Sequence, residues 1–192
     1  MAQANEQKKG FLKGFLNSLR SFNGIDIVTI GVLAILFRVA GMPIYRITSV
    51  AFPYNIGLRF MIDAFLATLA VLLVTKKGAL FAYVLVWWLI NLALEGEDLV
   101  WLIGMWFPMI AGEWYLWTRP AYGAKLKDVL IGVGLAYGFF FAIVYWIYLI
   151  TFYQMVYSVP VIAASLVICL VGVMVGPYLG YLFGSRIKPL LE

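Results

Sequence analysis

No charged residue interrupts the chain between Asp128 and Arg186. A soluble domain cannot be built from such a stretch, because each helix or strand at its surface must turn a polar face to water. A helix of about 20 apolar residues crosses a bilayer. This stretch therefore holds two crossings, separated by the turn TFYQMVYSV. The rest of the chain follows suit: of 192 residues, 65% are hydrophobic and 12% charged, where soluble proteins carry roughly a quarter charged. Soluble enzymes are excluded, and no length remains for a separate soluble domain.

Apolar runs bounded by Gly, Pro and charge place six crossings at 25–42, 56–74, 79–94, 99–117, 129–150 and 160–184. Ahead of them, Phe11, Phe15, Leu19 and Phe22 recur at helical spacing with Lys13, Asn17 and Arg20 between, the pattern of an amphipathic helix lying in the interface. Those charges break the apolar run that a cleaved signal peptide needs, so the segment is expected to be retained. The expected fold is an all-α integral membrane protein: an N-terminal amphipathic segment (1–23), a six-transmembrane-helix bundle (24–188) and a short tail (189–192).

Sorting the charges by side orients the bundle. With a cytoplasmic N-terminus, Lys8, Lys9, Lys13, Arg20, Lys76, Lys77, Arg119, Lys125, Lys127, Arg186 and Lys188 all lie inside, while the outer loops hold Arg46 and the acidic turn of Glu95, Glu97 and Asp98. This is the positive-inside pattern, so both termini are expected in the cytoplasm of a multi-pass cell-membrane protein. The net charge of +5 is thereby accounted for without nucleic acid. Histidine is absent and Cys169 is the single cysteine. A zinc site of Cys and His, a bis-histidine haem, a Ser-His-Asp triad and an internal disulfide are therefore excluded, and no cofactor is expected.

Charged groups inside a span are costly and mark candidate functional positions. They are Arg38, Arg59, Asp63 and Glu113. Arg59 and Asp63 stand four residues apart and can pair, which is also the pattern of a structural ion pair. Arg38 is placed either to snorkel to the headgroups or to touch a ligand. Glu113 lies toward the cytoplasmic end of its span and is placed to brace helices. Trp87, Asn91 and Glu95 share one face of the third span, Trp106 stands two turns from Glu113 on the fourth, and Tyr137, Phe141, Tyr145 and Tyr148 form a stripe on the fifth. Converging, these faces would wall an outward-opening cavity suited to a small planar or cationic ligand; singly, such aromatics are ordinary belt or core residues. Gly172, Gly176, Gly180 and Gly184, with Gly134, Gly138 and Ala142, read as helix-packing stripes. Pro108 and Pro177 are expected to kink their helices.

Within residues 24–118, the first helix GIDIVTIGVLAILFRVAG, the run TKKGALFAYVLVWWLINLALEG and the segment MIAGEWYLW resemble the substrate-binding S-components of energy-coupling factor (ECF) transporters. The likeness is to the YkoE-like branch associated with thiamine and hydroxymethylpyrimidine. The resemblance implies a non-enzymatic subunit that captures a small organic vitamin or precursor from outside. A coupling transmembrane subunit and two ATPase subunits would be its partners, which fits the absence of a GxxxxGK[ST] motif. From the in-span charges and aromatic faces above, the candidate substrate-binding residues are Arg59, Asp63, Trp87, Asn91, Glu95, Trp106, Tyr145 and Tyr148; the resemblance implies docking on the coupling subunit through Gly31 and Ala34. The loop 43–55 would form a lid, with 95–98 and 151–159 beside it. Metal-carrying members of that family use N-terminal histidines, so the lack of histidine turns the expected cargo to an organic molecule. Two other classes fit the residues alone: an assembly subunit using the glycine stripes laterally, and an intramembrane enzyme or proton-coupled carrier working through Asp63 and Glu113.

Overall fold

The structure, a computed structural model, describes residues 20–41, 43, 46, 51–95 and 103–191. Among them every regular element is helical. Six helices follow in chain order: α1 (Gly24–Gly41), α2 (Ile56–Val74), α3 (Ala79–Glu95), α4 (Trp106–Trp117), α5 (Leu126–Thr151) and α6 (Val159–Leu191). Of these α1, α2, α5 and α6 are long and apolar enough to cross a membrane. The apolar faces of α1 (Ile25, Val28, Val32, Ile35, Val39) and α6 (Val167, Val171, Phe183) lie on the outside of the bundle. In water such faces would be untenable, and they mark the chain as a membrane protein.

Local chemistry sets the helix ends. Asn23 and Asp26 form a reciprocal cap at the start of α1: the Asp26 amide donates to the Asn23 side chain at 2.9 Å and the Asn23 amide to the Asp26 carboxylate at 2.8 Å. Lys76, in the turn after α2, donates to the same carboxylate and to the Ser21 carbonyl, joining the α1 start to the α2–α3 turn. That turn reverses the chain through Thr75 and Gly78, both at positive φ, a conformation that glycine takes without strain. Arg119 stacks on Tyr115 and faces Asp128 across the α4–α5 turn, and Lys77 lies over the Trp117 ring. These basic residues thus gather at one end of the bundle.

The middle of the fold is α2, which touches α1, α3, α5 and α6 and is 67% buried where α6 is 22%. Between apolar helices in lipid the hydrophobic effect offers little, so association depends on close packing. Glycine supplies the closeness. A Cβ added at Gly172 would strike the Gly57 carbonyl oxygen, one at Gly176 that of Met61, and one at Gly180 that of Phe65 at 2.7 Å. The α6 stripe therefore lies directly on the α2 backbone. The α5 glycines serve the same purpose: Gly134 and Gly138 abut Val173 of α6, while Gly132 together with Gly112 of α4 brings α5 against α4.

Two helices depart from α geometry. Phe37–Gly41 at the end of α1 and Leu130–Phe139 within α5 are π-helical. Pro108 does not kink the middle of a helix. It lies in the first turn of α4, where its missing N–H is not needed, and the preceding helical residues Ile103 and Gly104 are cut off at Met105. Pro177 and Pro189 lie inside α6, which runs on past the expected boundary at 184 and takes in Pro189–Leu191, expected as tail. The amphipathic segment falls outside the described residues save for Arg20–Phe22, as do the acidic turn 96–98 and most of the loop 43–50.

Candidate functional site

Asp63 is the polar centre of the bundle. It projects from the middle of α2, is 3% exposed, and accepts hydrogen bonds from the Tyr137 hydroxyl of α5 at 2.6 Å and the Tyr83 hydroxyl of α3 at 3.0 Å. Arg59, one turn earlier, adds a favourable charge interaction. The expected Arg59–Asp63 pairing is thus only part of the carboxylate's environment, and two tyrosines from other helices complete it. A carboxylate has about four acceptor directions. The two tyrosines occupy two of them.

Rings surround this centre. Phe141, one turn beyond Tyr137 on α5, lies nearly parallel to the Tyr137 ring, with centroids 5.9 Å apart and planes at 18°. Its other neighbours meet it edge-on: Phe60 of α2 at 4.9 Å and Trp87 of α3 at 6.4 Å. Phe60 also contacts Tyr145 at 6.0 Å. Trp87 in turn meets Phe37 of α1 at 5.8 Å. The indole N–H of Trp87, in a residue 2% exposed, has no acceptor among the described residues.

A second polar link lies above Trp87. Arg38, on the π-helical turn of α1, donates to the Asn91 side-chain oxygen at 2.9 Å, and the Asn91 amide donates to the Trp87 carbonyl at 3.0 Å. Arg38, half-buried, thus ties α1 to α3 through Asn91. Glu95 is the last residue of α3.

The remaining expected residues stand elsewhere. Trp106 packs with Trp88 and Phe81 on the other side of α3, where a cavity of about 10 Å³, lined by Val84, Leu85, Trp88, Met105, Trp106 and Met109, has room for about one water and not for an organic ligand. Tyr148 packs on Phe152 and Tyr153 at the end of α5. Of the docking pair, Ala34 is fully buried while Gly31 borders open space, so a side chain between helices and one on the outside cannot share a docking face. At the end of the bundle away from the Lys76 turn, Phe52 contacts Tyr157 at 6.0 Å and Ser165 donates to the Pro53 carbonyl at 3.2 Å, so the end of the first loop rests on the last loop and on α6.

Glu113 has a different setting. Its carboxylate accepts from the Gly78 amide at 2.7 Å, the Phe81 amide at 3.3 Å and the Tyr122 hydroxyl at 2.7 Å, while the Tyr122 oxygen accepts from the Leu80 amide at 3.2 Å. These are the backbone donors that open α3, and such orphan N–H groups attract negative charge. Glu113 of α4 thus caps a neighbouring helix. Burial, and then the Glu113 charge, push the Tyr122 phenol well above its ordinary range, so it remains a donor.

Tyr83, Tyr137, Phe60 and Tyr122 were not singled out as partners by sequence reasoning, although a buried phenol needs a hydrogen-bond partner and so points to a buried carboxylate. No protein-family model, no curated protein sequence and no solved structure matches this chain.

Proposed function

We propose that this protein is the substrate-binding subunit of an ECF-type transporter. In this reading it crosses the cell membrane six times with both termini in the cytoplasm. It captures a small organic vitamin or precursor of the thiamine or hydroxymethylpyrimidine kind from outside, and a coupling transmembrane subunit with two ATPase subunits drives release inward. It carries out no chemistry itself.

The observation that carries the reading is Asp63, a buried carboxylate with spare acceptor capacity among Phe60, Trp87, Tyr137 and Phe141. Leaving such a group in a bundle otherwise held by close packing is expensive, and ligand recognition repays that expense. Clustering of Arg20, Lys76, Lys77, Arg119, Lys125 and Lys127 around the turns at one end agrees with a cytoplasmic N-terminus. The Phe52–Tyr157 contact is where lid loops of an outward-facing site would meet. For docking on the coupling subunit the outward side of α1 at Gly31, flanked by Val28, Val32 and Ile35, is available.

The assembly-subunit reading loses its main support, since the glycine stripes are used up in contacts between α2, α5 and α6. Shared acid chemistry of Asp63 and Glu113 has no support in a pair whose hydrogen bonds go to different groups. The test is thermal stabilisation of the detergent-solubilised chain by thiamine and hydroxymethylpyrimidine, together with affinity purification from the native membrane. Stabilisation and recovery of ATPase subunits are expected; neither occurring would end the proposal.

A further inference from the structure

The aromatic cluster beside Asp63 has a shape that its own packing does not require. Phe141 lies nearly parallel to the Tyr137 ring and offset from it, at 18° and 5.9 Å, while Phe60 and Trp87 meet it in T-shaped contacts at 72° and 85°. One stacked face with two edges at the sides is a slot for a flat ring, and a side chain of the protein occupies it. The polar groups at its rim are what a flat ligand needs and Phe141 cannot use. Asp63, reached through Tyr137, has room for further donors. Trp87 Nε1–H is buried with no acceptor among the described residues, and burial of an unmade hydrogen bond is costly. Trp88 and Trp146 also carry unmatched indole N–H groups, but they pack with Trp106 and Tyr157, away from the Asp63 tyrosines.

We infer that Phe141 is a built-in plug: its ring fills the slot that a flat, hydrogen-bonding ring takes when ligand is bound, and ligand entry requires Phe141 to leave. The backbone beside it is suited to that motion. Leu130–Phe139, which carries Tyr137 and ends two residues before Phe141, is π-helical. A π-helix bonds i to i+5 and is less favourable than an α-helix, and its short forms recur at functional sites. Relaxation of this stretch toward α geometry turns Tyr137 and Phe141 together about the α5 axis, uncovering the Asp63 carboxylate as the ring withdraws. Substrate selection then includes competition with the protein's own side chain. Rings too small to replace the Phe141 contacts, or without an acceptor for Trp87, do not displace it.

This inference rests on the proposed binding role of the Asp63 region but is tested without the natural substrate. The probes are benzimidazole, which is flat with one ring acceptor and one N–H donor, and indene, which has the same shape and neither group. Binding to the detergent-solubilised full chain is read by thermal shift and by quenching of tryptophan fluorescence. In Phe141→Ala, benzimidazole is expected to bind at least tenfold more tightly than in the unaltered protein and at least tenfold more tightly than indene. Adding Trp87→Phe should reduce that preference, leaving only the part that Asp63 supplies by accepting the benzimidazole N–H. Phe141→Leu, which keeps most of the volume but not the flat face, should show the same order with a smaller gain, and serves if the alanine variant does not fold. Equal affinity of benzimidazole for the unaltered protein and both variants would overturn the plug, as would equal binding of indene and benzimidazole to a simple apolar hole. Thiamine binding without a gain in these variants removes the plug and leaves the transporter reading standing. A gain without any vitamin binding does the reverse.

Discussion

Asp63 and Glu113 are the most deeply buried carboxylates among the described residues, at 3% and 2% exposed, and their surroundings differ in kind. Glu113 receives two backbone amides and a tyrosine, and the amides belong to the start of α3, where unpaired N–H groups need an acceptor. Asp63 receives only side-chain hydroxyls, both from tyrosines whose backbones are already satisfied as helix interior. Glu113 thus repairs a defect that every helix has. Asp63 meets no backbone need and serves only the hydroxyls of two buried tyrosines from other helices. A buried charge that meets a backbone need is structural on its face, whereas one that the fold must accommodate calls for a use outside the fold.

This contrast orders the expected effects of substitution on stability. Glu113→Leu strands two amides and the Tyr122 hydroxyl and should lower unfolding stability by about 3–5 kcal/mol. It is read as a large loss of thermal stability in detergent, and a melting temperature unchanged from that of the parent would remove Glu113 from its capping role. Tyr122→Phe removes one bond to Glu113 and leaves the Leu80 amide without an acceptor, for about 1–2 kcal/mol in the same measurement. Tyr137→Phe should lose about 1 kcal/mol, in the range of interhelical hydrogen bonds within membranes. A loss as large as that of Glu113→Leu would show that Asp63 is as structural as Glu113. Asp63→Asn keeps an acceptor oxygen for one tyrosine and offers an amide donor to the other, so its stability should stay within about 1 kcal/mol of the parent. Its ligand response should nevertheless collapse, with thiamine-induced stabilisation lost. Retention of that response in the asparagine variant would break the comparison from the other side.

How far the sequence reveals these settings depends on the range over which each residue acts. The bounds of α2 are legible because Asn55 and the Lys76–Lys77–Gly78 turn enclose a run that is apolar save for Arg59 and Asp63. The far end of α6 is not, since Arg186 and Lys188 read as a stop in a membrane but are good helix formers where the chain continues beyond it. For Asp63 the local rule points to Arg59 four residues away, while the groups on its oxygens come from positions 83 and 137, which no spacing rule connects. The Glu113 cap leaves a fainter trace. The start of α3, Gly78–Ala79–Leu80–Phe81, contains no Ser, Thr, Asp or Asn, so an acceptor had to come from elsewhere in the chain. Helical spacing is enough to bring Trp87 and Asn91 together on α3, where the Asn91 amide bonds the Trp87 carbonyl, whereas Trp106 and Tyr148 belong to faces whose direction depends on the helix break at Met105 and the π-helical register of α5.

Backbone contact along Gly172, Gly176 and Gly180 makes α2 and α6 one beam with little room to slide, since carbonyl oxygens fill the notches that the glycines leave. Asp63 is mounted on that beam, whereas Tyr137 and Phe141 ride on α5, which in the proposed plug motion turns at its π-helical stretch. The negative charge is the stationary post of the site and the rings are its swinging gate. A lineage seeking a new cargo could rework the gate residue by residue while the post, and the bundle built around it, stayed in place.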